Sequence, residues 1–180
     1  FYATSSIVAI KVVGGLGPDA IAAAVTGQRV TFILQAILTG VLAGSTALIA
    51  RHWGAKDKLE AGIFFTRTVQ LVIFLSIISA FLIWQFAEPL VRFFGLKNQA
   101  LIYSSNYLKA IAPFYIAFGC GMALITALRA VGDVKTPLFI GVIMNLFAIF
   151  FMLVFVNGWL GFPEYGVIGA ALGNGLSFVI

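Results

Sequence analysis

Charge is scarce in this 180-residue chain: eleven Lys or Arg and six Asp or Glu make up 9% of it. A soluble domain carries roughly 25% charged residues, and a domain of this size must turn much of its chain toward water. With 62% of the residues hydrophobic and a mean hydropathy of +1.09, the solvent for most of this surface has to be lipid. A lone cysteine, Cys120, excludes an internal disulfide, and its apolar run reads it as a small buried hydrophobe. A lone histidine, His52, excludes a clustered His/Cys zinc site and an H-E-x-x-H. Beside Trp53 in a polar turn, it also completes no Ser/His/Asp set. The G-x-x-x-x-G-K-[ST] phosphate loop is missing, and Gly15-Leu16-Gly17 only faintly echoes a dinucleotide loop, with no strand before it. No catalytic residue, metal site or cofactor is therefore expected, and the chain reads as a non-enzyme. The sequence has no initiator Met and stops inside an apolar run, Leu176 to Ile180, so a piece of a longer protein is the expectation. Its first stretch lacks the basic n-region of a signal peptide.

What is present is length without charge. A bilayer core of roughly 30 Å takes about 20 apolar residues in a helix. Four uncharged runs meet this: Val30–Ala50, Thr68–Ala87, Ala110–Leu128 and Thr136–Asn157. Partial runs stand at the ends, Phe1–Val13 and Tyr165–Ile180. The runs are continuous and do not alternate with period two, which excludes β-barrel strands. The fold class is thus all-α, a polytopic bundle of about six transmembrane helices with the first and last truncated. Residues 1–180 form one transmembrane domain without linker, low-complexity tract or internal repeat.

The connections carry turn chemistry. Gly14-Gly15-Leu16-Gly17-Pro18-Asp19 breaks the chain and then suits a helix start. Arg51–Glu60 is a polar turn, Glu88–Ser105 a longer amphipathic link, Arg129–Lys135 a tight turn ending at Thr136-Pro137, and Asn157–Gly166 an interfacial stretch. One side of the bundle collects Arg51, Lys56, Lys58, Arg129 and Lys135 in short loops, which marks it as cytoplasmic. The net charge of +5 therefore reports membrane orientation, not nucleic-acid binding.

Polar residues within the spans point to function, because lipid offers them no partner. Gln35, Asn145 and Asn174 are the candidates, with Thr39, Ser45 and Ser76 weaker. Each amide has two readings, a helix-to-helix hydrogen bond or the wall of a wet cavity. Lys11 likewise either snorkels to the interface past Gly14 or faces a substrate path. Pro113, followed by Gly119 and Gly121, marks a kink that is either static or a hinge. Gly40 with Gly44, and Gly169 with Gly173, are G-x-x-x-G pairs whose small faces suit close helix packing or a sliding contact.

Four stretches together resemble the multidrug and toxin extrusion (MATE) family: "VVGGLGPDAIAAAV" (Val12–Val25), "ALIARHWGAKDKLEA" (Ala47–Ala61), "ALRAVGDVKTPLFIGVIMN" (Ala127–Asn145) and "GFPEYGVIGAALGNGLS" (Gly161–Ser177). The resemblance covers nearly the whole chain. It implies the N-terminal half of a twelve-helix, two-lobe transporter in the cell (inner or plasma) membrane, with the C-terminal lobe as intramolecular partner. It also implies a secondary antiporter that exports organic cations, drugs or metabolites by alternating access, driven by Na⁺ or H⁺. Two positions depart from the family pattern. Ala9 stands where many relatives carry a cation-coupling Asp, and Ile149 where many carry an acid or Asn four residues beyond the residue matching Asn145. Neither Ala nor Ile can hold Na⁺ or exchange a proton. The runner-up is a flippase for lipid-linked saccharides or polyprenyl carriers in the same superfamily, which Lys11 without an acid at position 9 suits. A third reading is a structural membrane protein with no transport path.

Overall fold

A computed structural model of the chain describes residues 11–15, 17–161 and 163–179. Most of the first span, Ala9 included, lies outside them; residues 11–14 are helical. The first long helix, α1 (Pro18–Gly54), begins where Gly17 takes a φ of 105° and Pro18 fills a first-turn position that needs no N–H. Asp19 in its first turn and Arg51 and His52 in its last complement the helix dipole. A three-residue break leads to α2 (Lys58–Phe93), whose start is capped by Asp57 accepting the Glu60 N–H at 3.1 Å.

Helix α2 does not end where the apolar run ends. The link expected over Glu88–Ser105 is helical up to Phe93 and again from Asn98, where α3 (Asn98–Ile111) begins. Only residues 94–97 connect the two, with Gly95 at φ 81°. Glu88 and Arg92, which read as loop charges, are an i,i+4 ion pair of 2.6 Å on the exposed face of α2. The helix bends at Phe86 (φ −111°, ψ 18°) because Pro89, three residues on, offers no N–H and crowds the carbonyl of the turn before it.

Pro113 falls in a 3₁₀ turn, Ala112–Phe114, that joins α3 to α4 (Tyr115–Ala130). Then come α5 (Lys135–Asn157), ended by Gly158 in the left-handed region at φ 68°, a 3₁₀ turn at Trp159–Gly161, and α6 (Val167–Leu176). Among the described residues, four helical stretches are long and apolar enough to cross a membrane: α1, α2, Asn98–Ala130 with its 3₁₀ joint, and α5. Each contains one of the four complete spans read from the sequence. At 37 and 36 residues, α1 and α2 are each roughly 55 Å long, so they overrun a hydrocarbon core of about 30 Å. Helix formation continues through residues such as Arg29 because a charge outside the hydrocarbon does not oppose it. Arg51, Lys58, Arg129 and Lys135 gather at one end of the bundle, called here the basic end.

The two G-x-x-x-G pairs behave differently. A Cβ on Gly169 would stand 2.6 Å from the Phe155 carbonyl, and one on Gly173 would stand 2.5 Å from the Met152 nitrogen, so α6 lies backbone-to-backbone on α5. Around Gly40 and Gly44 nothing lies within 4 Å of the added atom. The packing reading for that pair is corrected within this lobe, since α1 turns these glycines away from its neighbours. Cys120 is half-buried and free.

The tight turn at the basic end is held by Asp133, which accepts the N–H groups of Lys135 (3.1 Å) and Thr136 (3.0 Å) at the start of α5. Hydrogen bonds from Thr136, followed by those from Lys135, hold this carboxyl below the usual carboxylate range. A depressed pKa means that the stabilisation is present above the ordinary value and fades as pH falls through the lowered one. Asp133→Ala is therefore expected to lower the hydrogen-exchange protection of Lys135 and Thr136 at neutral pH. Acidification below the carboxylate range should bring the unsubstituted protein to the same protection. Equal protection of both proteins at neutral pH contradicts this role.

Candidate transport cleft

Although four residues join α4 to α5, the two helices splay apart, and α5 rests instead on α6. The opening is a cleft of about 300 Å³, at the small end of ligand pockets. Its α4 wall carries Phe118, Gly121, Met122, Ile125 and Arg129; its α5 wall runs from Pro137 through Gly141, Met144 and Asn145 to Ala148. Asn174 of α6, with Ser177 and Phe178 just beyond, closes it. From Pro137 to Ala148 the cleft is roughly 16 Å deep at about 1.5 Å per residue, which is close to one leaflet of a bilayer. It reaches from the basic end toward mid-membrane.

Two of the three amides named from the sequence meet here. Asn145 is half-buried on the α5 wall, and Asn174 is half-buried on α6. The Ser177 hydroxyl donates to the Asn174 carbonyl at 2.7 Å. Gly121 also lines the cleft, and a Cβ there would meet open space. Gln35 does not join them: it is half-buried on α1, where its carbonyl accepts the Thr39 hydroxyl. Lys11 is exposed and outside the cleft. Pro113 is exposed at the α3–α4 joint, while Gly119 is buried with its α-carbon turned to Ser76 and Val72 of α2. Ser45 donates to the carbonyl four residues earlier, and Ser76 is fully buried.

Sequence reading missed a second polar layer that supports the cleft. Tyr107 of α3 is 1% exposed and lies against Gly27, where a Cβ would stand 2.5 Å from its ring. Its hydroxyl is hydrogen-bonded to the Asn174 side chain, so it orients a cleft amide from behind. Tyr115, equally buried, donates to the Thr31 carbonyl at 2.8 Å, and the Thr31 hydroxyl donates to the Gln28 carbonyl at 2.9 Å. The Tyr115 bond ties α1 to the α3–α4 joint, and the Thr31 bond stays within α1. The available signal was Thr26-Gly27-Gln28, a small and polar step in the first half of α1.

Carboxylates are absent from the cleft. Asp19, Asp57, Glu60, Glu88, Asp133 and Glu164, all six in the chain, lie in turns, near helix ends or beyond the apolar runs. Among the described residues, no group of three His, Cys, Asp or Glu could hold a metal ion.

The family model for MatE matches residues 1–154. The chain belongs to the MatE family. This MatE chain is 29% identical over 171 residues to the Probable multidrug resistance protein YoeA of Bacillus subtilis (strain 168), an alignment covering 91% of this chain and 35% of that one. Its fold matches a multidrug resistance MATE family transporter of the MOP superfamily in an outward-facing conformation, with a TM-score of 0.89 at 25% identity over 99% of this chain and 39% of that chain. It matches an inward-facing conformation of a MATE family transporter almost equally, with a TM-score of 0.87 at 26% identity over 97% of this chain and 39% of that one. The MatE chain thus spans well under half the length of the relatives it matches, and its helices correspond to their N-terminal lobe.

Proposed function

We propose that this chain is the N-terminal lobe of a secondary active exporter of small amphiphilic organic compounds, including drugs and metabolites, working by alternating access. The observation that supports this is the agreement of the fold with outward-facing and inward-facing relatives alike, in a lobe that carries the half-buried amides Asn145 and Asn174 on its neighbouring helices α5 and α6. A lobe that keeps its shape in both states suits rigid rocking against a partner lobe. The partners would be a small organic substrate, bilayer lipid and the C-terminal lobe of the same protein, in the cell membrane with the basic end in the cytoplasm.

Antiport against Na⁺ or H⁺ needs a group that binds the ion. The apolar spans of this lobe hold no carboxylate, so the coupling acid is assigned to the other lobe, and so is the site for any cationic cargo. A second reading, a flippase for lipid-linked saccharides, is favoured by one observation: the charged residue on the cleft wall, Arg129, is a cation.

The test is dye efflux from proteoliposomes containing the full-length protein, under imposed Na⁺ or H⁺ gradients. Efflux under one gradient is expected, reduced by about tenfold when Asn145→Leu and Asn174→Leu are combined, the loss of roughly 1.4 kcal/mol of binding. Flux under neither gradient contradicts the exporter. Under the flippase reading, a labelled saccharide lipid crosses the bilayer instead.

A further inference from the structure

On the side of α2 turned away from the lobe, a shallow open groove is lined by Lys58, Leu59, Ile63, Thr66, Arg67 and Gln70. The opposite side of the helix buries Ala61, Thr68, Val72 and Ser76. Gly119 of α4 lies against Val72 and Ser76, and Phe178 packs edge-on against Phe118, so both approach α2 from its buried side. Toward mid-membrane the outer side continues through Phe74, Ile77 and Phe81, all exposed and apolar. Arg67 stands directly before the uncharged run Thr68–Ala87, which places its guanidinium at the edge of the hydrocarbon. Lys58 lies roughly 13 Å further out at about 1.5 Å per residue. Its Nζ stands 5.6 Å from the centroid of the Trp53 ring, which is exposed, as a tryptophan at a membrane interface is. Neither Lys58 nor Arg67 has an ionic partner among the described residues, where the ion pair found joins Arg92 and Glu88. The nearby Asp57 is taken up by the Glu60 N–H, and the Thr66 hydroxyl by the Gly62 carbonyl.

From this order of groups we propose that the outer strip of α2 binds an anionic phospholipid of the leaflet at the basic end. Arg67 holds the phosphate, and a guanidinium pairs with two phosphate oxygens through parallel N–H bonds. Gln70, one turn deeper, is a neutral donor at the level of the glycerol ester carbonyls. The acyl chains lie along Phe74, Ile77 and Phe81, and Lys58 adds attraction further out. Selection falls on net charge. A zwitterionic headgroup brings its own ammonium toward Lys58, whereas basic side chains near the membrane surface attract anionic lipid. A soluble anion could meet the two cations but would leave the apolar strip without a partner. The inference concerns the lipid around the lobe and holds whether or not the lobe transports.

Native mass spectrometry of the full-length protein tests this, with phosphatidylglycerol and phosphatidylcholine of matched acyl chains supplied in equal amounts. Phosphatidylglycerol is expected to be retained about tenfold more than phosphatidylcholine, the effect of two basic side chains at one headgroup. Combining Lys58→Gln with Arg67→Gln should remove that excess. Combining Lys58→Arg with Arg67→Lys should keep most of it, which separates lost charge from lost fold. Lys97→Gln, at the opposite end of the lobe, should leave it intact. Phe74→Ser should weaken retention of both lipids, and millimolar glycerol 3-phosphate should displace neither. Equal retention of the two lipids, as when the C-terminal lobe covers this face, overturns the inference. So does a preference that survives the double glutamine variant, or displacement of phosphatidylglycerol by glycerol 3-phosphate, which would make this a site for soluble anions.

Discussion

Gly173→Val is expected to unseat α6 from α5. The added carbon would stand 2.5 Å from the Met152 nitrogen and 2.7 Å from its α-carbon, and backbone atoms cannot rotate aside. Overpacking typically costs about 1–3 kcal/mol, and a clash with rigid backbone belongs at the upper end, about 3 kcal/mol. Gly44→Val, in the other G-x-x-x-G pair, meets nothing within 4 Å and should leave stability within about 0.5 kcal/mol of the unsubstituted protein. Thermal unfolding of both variants in detergent, followed by size-exclusion chromatography, makes the comparison. Because Asn174 adjoins Gly173, the same substitution should also displace a cleft amide, so the Gly173→Val protein loses flux as well as stability. Matching melting temperatures for the two valine variants contradict the backbone contact between α5 and α6.

Tyr107→Ala should be comparably damaging for a different reason. The ring is buried between Gly27 of α1 and Asn174 of α6, and truncating a buried aromatic leaves a cavity costing about 3–5 kcal/mol. Tyr107→Phe keeps the ring and removes the hydroxyl that holds the Asn174 side chain, so its stability loss should be about 1 kcal/mol. The two variants then divide packing from orientation. Tyr107→Ala lowers the melting temperature steeply, whereas Tyr107→Phe folds well and transports more slowly. Full transport by Tyr107→Phe would leave Tyr107 with a packing role alone.

Much of the architecture is legible in the sequence because lipid punishes charge. The runs Val30–Ala50, Thr68–Ala87, Ala110–Leu128 and Thr136–Asn157 lie within the long helices, and the breaks after Gly14, Arg51 and Arg129 coincide with glycines, a proline and short polar turns. Where helices stop is less legible. Glu88 and Arg92 look like loop residues, yet four residues apart on a helix they satisfy each other at the interface, and the helix continues to Phe93. Span rotation is the larger gap. A membrane helix is apolar on nearly every face, so hydropathy does not tell which side Gln35 or Asn145 occupies. Both amides carried the same signal, and α1 places Gln35 away from the cleft. The glycine pairs teach the same lesson: Gly40 and Gly169 read alike, and what lies opposite decides their role. The Tyr107–Gly27 contact joins residues eighty positions apart, and the small step at Thr26-Gly27-Gln28 marks only the α1 side of it.

The most direct measurement is thiol accessibility from the cytoplasmic side, in a cysteine-free background of the full-length protein with Cys120→Ser. Single substitutions Asn145→Cys and Gly121→Cys line the cleft, while Leu146→Cys stands at a residue 63% exposed and outside the cleft, on an apolar stretch of α5. A membrane-impermeant maleimide applied to inside-out vesicles should label the first two and spare the third. Labelling that ignores the cleft, with Leu146→Cys reacting as fast as Asn145→Cys or neither cleft position reacting, would mean that no water-filled path enters the lobe between α4 and α5.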